Sequence, residues 1–179
     1  MASMSRFRIQ YFYILLIFII CGCERMSGPS ELGRYYGKEI SIAFPVELKE
    51  THCLWGVYFG GQILGLANSD STVIVAVSVK KLNSRLSYEK FIQKQIEFYQ
   101  AVSNQLYPER FAEGSTQTST GLPMRWITWV GSSGEGRSMD YYLNDKNKIY
   151  QLSFFVREDK LSEYKDKLDE AAKSIKFEK

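Results

Sequence analysis

The sequence has 179 residues, 45% of them apolar and 15% aromatic, with a formal charge of +3. With a short leader set aside this is one ordinary domain, long enough to bury about two-thirds of its unfolded surface without disulfide or metal staples. Arg6 and Arg8 supply most of the net charge, so the rest of the chain is near +1, which excludes the basic footprint of a nucleic-acid binder.

Arg6 and Arg8 precede an apolar run from Tyr11 to Ile20, and the small residue Gly22 follows. A basic start, a short apolar core and a small residue at the cut describe an export signal. The run is short for a membrane-spanning helix, which needs about 20 residues. Ile20-Cys21-Gly22-Cys23 resembles the lipobox of bacterial lipoproteins. The resemblance implies cleavage between Gly22 and Cys23 and acylation of the Cys23 thiol, with residues 1–22 as the signal peptide. It also implies a bilayer as the first partner. Each buried methylene contributes about 0.8 kcal/mol, and the two or three chains of such proteins make anchoring permanent. Two other readings compete: an uncleaved anchor that adds Phe7 and Ile9, and an ordinary secretory signal. Glu24, rather than Asp, leans toward the outer membrane in Gram-negative sorting as the family implies it. In a Gram-positive cell the protein would stand outside the cytoplasmic membrane. Cys21 leaves with the signal, so Cys53 is the one thiol left in the domain; it reads as buried and inert, against an intermolecular disulfide or a reactive thiol.

Residues 23–34 are dominated after Cys23 by Gly, Ser and Pro and read as a tether. Its ten residues from Glu24 to Gly33 give a random-coil reach of about 18 Å. The domain, 35–179, opens with Ile40, Ile42 and Phe44 alternating with Ser41 and Ala43, a strand that Pro45 ends. Cys53 to Phe59 and Gln62 to Ala67 read as strands joined at Gly60-Gly61. Asn68 to Ser71 is a turn. Thr72 to Val79 alternates Val73, Val75, Val77 and Val79 with Ile74, Ala76 and Ser78, and reads as an interior strand covered on both sides. From Tyr88 to Leu106 the apolar spacing is helical, with Ser87 as N-cap. Phe111, Met124 to Val130, Arg137 to Leu143 and Ile149 to Val156 form a second meander, broken at Gly131–Gly136 and Asn144–Asn147. From Asp159 the period is helical again, with Leu161, Tyr164, Leu168, Ala171-Ala172 and Ile175 on one face. Strands, helix, strands, helix, joined mostly by short turns, predict an α+β fold with a largely antiparallel sheet and two amphipathic helices.

Little in this pattern reads as catalytic chemistry. His52 is the only histidine. With Cys53 it offers two metal ligands where zinc wants three or four, so no metal and no cofactor is expected. Gly131 to Gly136 lacks the Lys and Ser/Thr of a phosphate loop. Asp169-Glu170 and Glu158-Asp159 read as solvated charge on or beside the last helix. Aromatics in strands ordinarily face the core; should they line a groove, Trp126, Trp129 and Tyr142 are the candidates, on adjacent strands.

Ile40–Pro45 at the domain start, the valine strand with Leu82 and the Ser87 helix, Gly121–Trp126, Ile149–Phe154 and Ser174–Phe177 occur in an order that resembles the PsbP-like superfamily, in which the bacterial envelope protein DcrB falls. The resemblance implies an α/β/α sandwich over roughly Tyr35 to Phe177. No catalytic motif defines that superfamily, so it implies no catalytic residue; its members bind partners, and the partners differ. The expectation is a membrane-anchored, non-enzymatic envelope lipoprotein that binds another envelope protein. A lipoprotein of immunity or chaperone type, holding one toxin or effector, is the alternative, and an envelope hydrolase a more distant one.

Overall fold

The computed structural model describes residues 33–36, 39–51, 61–82, 86–104, 107–130 and 134–178. The leader, Gly22, Cys23, and the His52 to Gly60 segment with its Cys53 lie outside them. Among the described residues, seven strands form one antiparallel sheet: β3 (Lys49–Glu50), β4 (Gly61–Ala67), β5 (Val73–Lys81), β6 (Ala112–Gln117), β7 (Pro123–Val130), β8 (Gly136–Asp145) and β9 (Lys148–Arg157). Their spatial order is β3-β4-β5-β9-β8-β7-β6. The long second meander therefore folds back so that β9, not β6, pairs with β5, in register from Val73↔Val156 to Lys81↔Lys148. Two helices of the described residues flank the sheet, α1 (Tyr88–Asn104) and α2 (Leu161–Lys173). A second, three-stranded sheet holds β1 (Arg34–Tyr36), β2 (Ile40–Ala43) and β10 (Lys176–Phe177), with β2 in the middle.

Strand alternation divides the core in two. Val73, Val75 and Val77 meet Val156, Phe154 and Leu152 across the β5–β9 ladder. On this face α2 buries Tyr164, Leu168, Ala171 and Ala172, and β2 adds Ile40 and Ile42. Each such valine, leucine, isoleucine or phenylalanine side chain contributes about 1.5–3 kcal/mol by leaving water, and each alanine less. The opposite face carries a smaller cluster, where Phe91, Ile92, Ile96 and Tyr99 of α1 cover Ile127, Tyr142 and Ile149. Ala76 and Ser78 are buried too, so β5 is covered on both sides as its composition predicts. The α/β/α sandwich is present, with the small sheet added to the α2 layer.

Local signals match the elements. Ser87 caps α1, its Oγ accepting from the Lys90 N–H at 3.3 Å. A 3-10 turn, Glu158–Lys160, precedes α2, so the helix begins two residues after Asp159. The last residues are tied down: Ser174 Oγ accepts from the Ala43 N–H at 2.7 Å and donates to the Ala171 carbonyl at 2.7 Å. Tyr150 donates to Glu39 at 2.7 Å and packs on Phe177. The fold already includes the end of the expected tether, because β1 starts at Arg34 and Gly33 accepts a hydrogen bond from the Phe44 N–H. Gly33 has φ +56°, and a Cβ there would overlap the Phe44 carbonyl, so the position needs glycine.

Candidate functional site

The three aromatics proposed for a groove do not share a surface. Trp126 stands opposite Tyr141 in the β7–β8 ladder, whereas Trp129 stands opposite Ser138 and Tyr142 opposite Arg125. Trp126 therefore packs on the α2-side core, and Trp129 lies on the α1 side with Tyr142. Tyr142 is closed to solvent at 0% exposure, under the edge of the Phe91 ring at 6.0 Å. Trp129 stacks on Tyr99 at 4.5 Å and 17°. The odd spacing of Trp126 and Trp129 in one strand is the physical reason for the split.

Between α1 and the sheet lies a buried polar centre that sequence reasoning missed. Asp140 and Ser153 face each other across β8–β9, as do Tyr142 and Gln151. Asp140 is 2% exposed. The Trp129 indole N–H donates to its Oδ2 at 2.8 Å, and Gln151 Nε2 at 3.1 Å and the Ser153 hydroxyl donate to Oδ1. Burial pushes the Asp140 carboxyl above the ordinary carboxylate range, against the pull of those three donors. Tyr88, whose hydroxyl donates to the Tyr142 carbonyl at 2.9 Å, is pushed up to about 12, chiefly by burial. A perturbed carboxyl marks a candidate site when it sits in a cleft. Asp140 instead is buried beside Tyr99 and Tyr142, with its oxygens already engaged. The available signal was hydroxyl, carboxyl and amide side chains at alternating positions, Ser138, Asp140 and Tyr142 in β8 and Gln151 and Ser153 in β9.

Two features open to solvent. The first is a cleft of about 500 Å³ between residues 43–47 and the outer turns of α2, lined by Phe44, Pro45, Val46, Lys167, Glu170 and Ser174. The Lys167–Glu47 ion pair closes at 3.0 Å beside it. Val46 is 71% exposed, and Phe98 on α1 is the other large exposed hydrophobe among the described residues, at 57%. The second feature is the edge of the main sheet. β6 is its last strand, six residues long, and pairs only with β7 among the described residues. Its one charge, Glu113, is held by Arg125 of β7 at 3.2 Å. Among the described residues no group of three or more His, Cys, Asp or Glu could hold a metal ion, and no helix is long and apolar enough to cross a membrane.

No protein-family model matches the chain, and no curated protein is significantly similar to it in sequence. Solved structures do match. The solution structure of cyanobacterial PsbP (CyanoP) from Synechocystis sp. PCC 6803 superposes with a TM-score of 0.62 at 13% identity, covering 88% of this chain and 99% of that one. LpqN of Mycobacterium tuberculosis, described as involved in cell envelope biogenesis, superposes at 0.54 with 8% identity, covering 88% and 91%. At these identities the likeness defines the fold, which is PsbP-like and α+β.

Proposed function

We propose that this is a lipid-anchored protein of the bacterial cell envelope whose PsbP-like domain works without catalysis, by holding another envelope protein along the free edge of its sheet. The observation that carries the reading is β6. About half of the N–H and C=O groups of an edge strand point away from its neighbour and are available to an added strand. Exposed edges are ordinarily blunted with charged side chains, lysine above all, with proline or with a bulge. Ala112–Gln117 has no lysine, proline or register break, and its one charge, Glu113, is paired with Arg125 of β7. An extended partner segment could therefore extend the sheet by main-chain bonding. The anchor rests on Ile20–Cys23, and the envelope location draws support from LpqN, whose description places that protein in envelope biogenesis. A hydrolase reading has less to stand on, since Asp140, the carboxyl among the described residues that is held above its ordinary range, is sealed.

Two measurements test the proposal together. Mass spectrometry of the membrane-associated protein should find an acylated Cys23 as the N-terminus, and Cys23→Ala should release the protein from membranes. A photo-crosslinking residue at exposed Ser115 should capture one protein reproducibly, whereas one at exposed Lys94 on α1 should not. Equal capture from both positions, or none from either, removes the edge from the proposal. An unmodified Cys23 with unchanged fractionation removes the anchor.

A further inference from the structure

The position of Gly33 bears on how the domain stands on its membrane. Gly33 packs against Phe44 and Val46, its carbonyl bonded to the Phe44 N–H, so the chain enters the fold at the rim of the cleft. Val46 projects there with 71% of its surface exposed. We propose that this rim, Pro45-Val46 with the adjoining cleft, is the surface the domain lays on the headgroup layer of the bilayer. The proposal rests on the anchored reading given above.

Length and shape carry the argument. A domain of this size is about 35–40 Å across, from the radius of gyration expected for its length. Ten residues lead from Cys23 to Gly33, a length of at most about 33–36 Å at full extension, less than that width and far less than a path around the domain. The bilayer can therefore touch the side where Gly33 lies but not, under the same tether, the far side. The far side is the α1 side, where Phe98 is exposed, because α1 and α2 cover opposite faces of the sheet. An apolar side chain at the near pole suits the boundary between headgroups and acyl chains. The charged residues lining the cleft are Glu47, Lys167 and Glu170, two acids and one base. With Lys167 paired to Glu47, no basic excess remains to seek anionic lipid. Contact should therefore come from insertion and not from electrostatic attraction.

The test uses the full lipidated protein in vesicles of phosphatidylethanolamine and phosphatidylglycerol. Nitroxide labels are placed by Val46→Cys or Phe98→Cys in a Cys53→Ser background, and circular dichroism checks that each variant is folded. On reconstitution the label at 46 should lose accessibility to a water-soluble nickel reagent, while the label at 98 keeps it. The loss should not change as the phosphatidylglycerol fraction is varied. Equal accessibility at both positions, in protein that floats with the vesicles, overturns the surface and leaves the anchor standing. A loss at 46 that grows with phosphatidylglycerol overturns the insertion mechanism. Protein that does not float with the vesicles overturns the anchor, and the surface falls with it.

Discussion

A carboxylate that accepts three hydrogen bonds and forms no ion pair among the described residues is costly to keep charged in an apolar setting. Asp140 is such a group, and two substitutions separate its roles. Asp140→Ala leaves the Trp129 indole, the Gln151 amide and the Ser153 hydroxyl without their acceptor, and should cost about 3 kcal/mol in denaturant unfolding. Asp140→Asn keeps an acceptor for the Trp129 indole N–H, and with the Gln151 amide turned over its Oε1, which has no hydrogen-bond partner, can take one new amide proton while the Ser153 hydroxyl turns to accept the other. That variant should match or exceed the native stability at neutral pH. The pH dependence follows from the raised Asp140 carboxyl. From the unfolded value of about 3.9 up to the raised folded value, the native state holds a proton that the unfolded chain has lost. Stability should therefore fall as pH rises through that window, and its contribution is complete below it. Asp140→Asn should remove this component of the slope; an unchanged slope in pH-resolved unfolding would mean that Asp140 titrates normally. Little of this was legible in the sequence. Met139-Asp140-Tyr141 inside a strand shows only that one polar residue alternates with apolar ones, and which face closes over it depends on where α1 lands.

At the scale of elements, two positions show how tightly the strands are held to their neighbours. Ser174 joins the end of α2 to β2 through the Ala43 N–H. Ser174→Ala should cost about 1–2 kcal/mol and should raise hydrogen exchange at Ala43 more than at β8. Gly114 lies in β6 opposite Trp126, and a Cβ there would overlap the indole ring. Gly114→Ala should displace Trp126 and cost about 1–3 kcal/mol, seen as a shift in tryptophan emission together with the lost stability. The long elements were readable because each has a period: the valines of β5, the Ser87-capped stripe of α1, and the apolar face of α2 from Leu161. The short ones were not. Arg34–Tyr36 and Lys176–Phe177 are strands only because Ile40–Ala43 lies between them, and three- or two-residue pairings leave no periodic trace. The split of Trp126 from Trp129 could have been read from their odd spacing. Setting Tyr142 on the Trp129 side required the register between β7 and β8.

For the whole molecule, the sheet is shared by two cores of unequal size. The α2 side joins β2, β4, β5, β7, β8, β9 and α2 in one cluster, while the α1 side buries a much shorter set of residues beneath a single helix. That asymmetry was not visible in the sequence, where the α1 and α2 stripes look alike; it arises because strand order brings β5 beside β9 and lets β2 and β10 close over the same face as α2. Free energy of opening follows buried apolar contact, so the two layers should not open together. Native-state hydrogen exchange should show the α1 amides from Phe91 to Ala101 exchanging through a sub-global opening, at lower free energy and with weaker denaturant dependence than the β5 and β9 amides. Ile96→Ala, on the buried face of α1, should lower the opening energy of α1 by about 2–4 kcal/mol, and that of β5 by less. Equal protection of α1 and β5, with equal response to Ile96→Ala, would mean that the two cores open as one unit. If α1 does open first, the Asp140 centre beneath it becomes accessible to solvent protons before the sheet unfolds. The pH response of the molecule would then be read out through α1, on the face turned away from the proposed membrane contact.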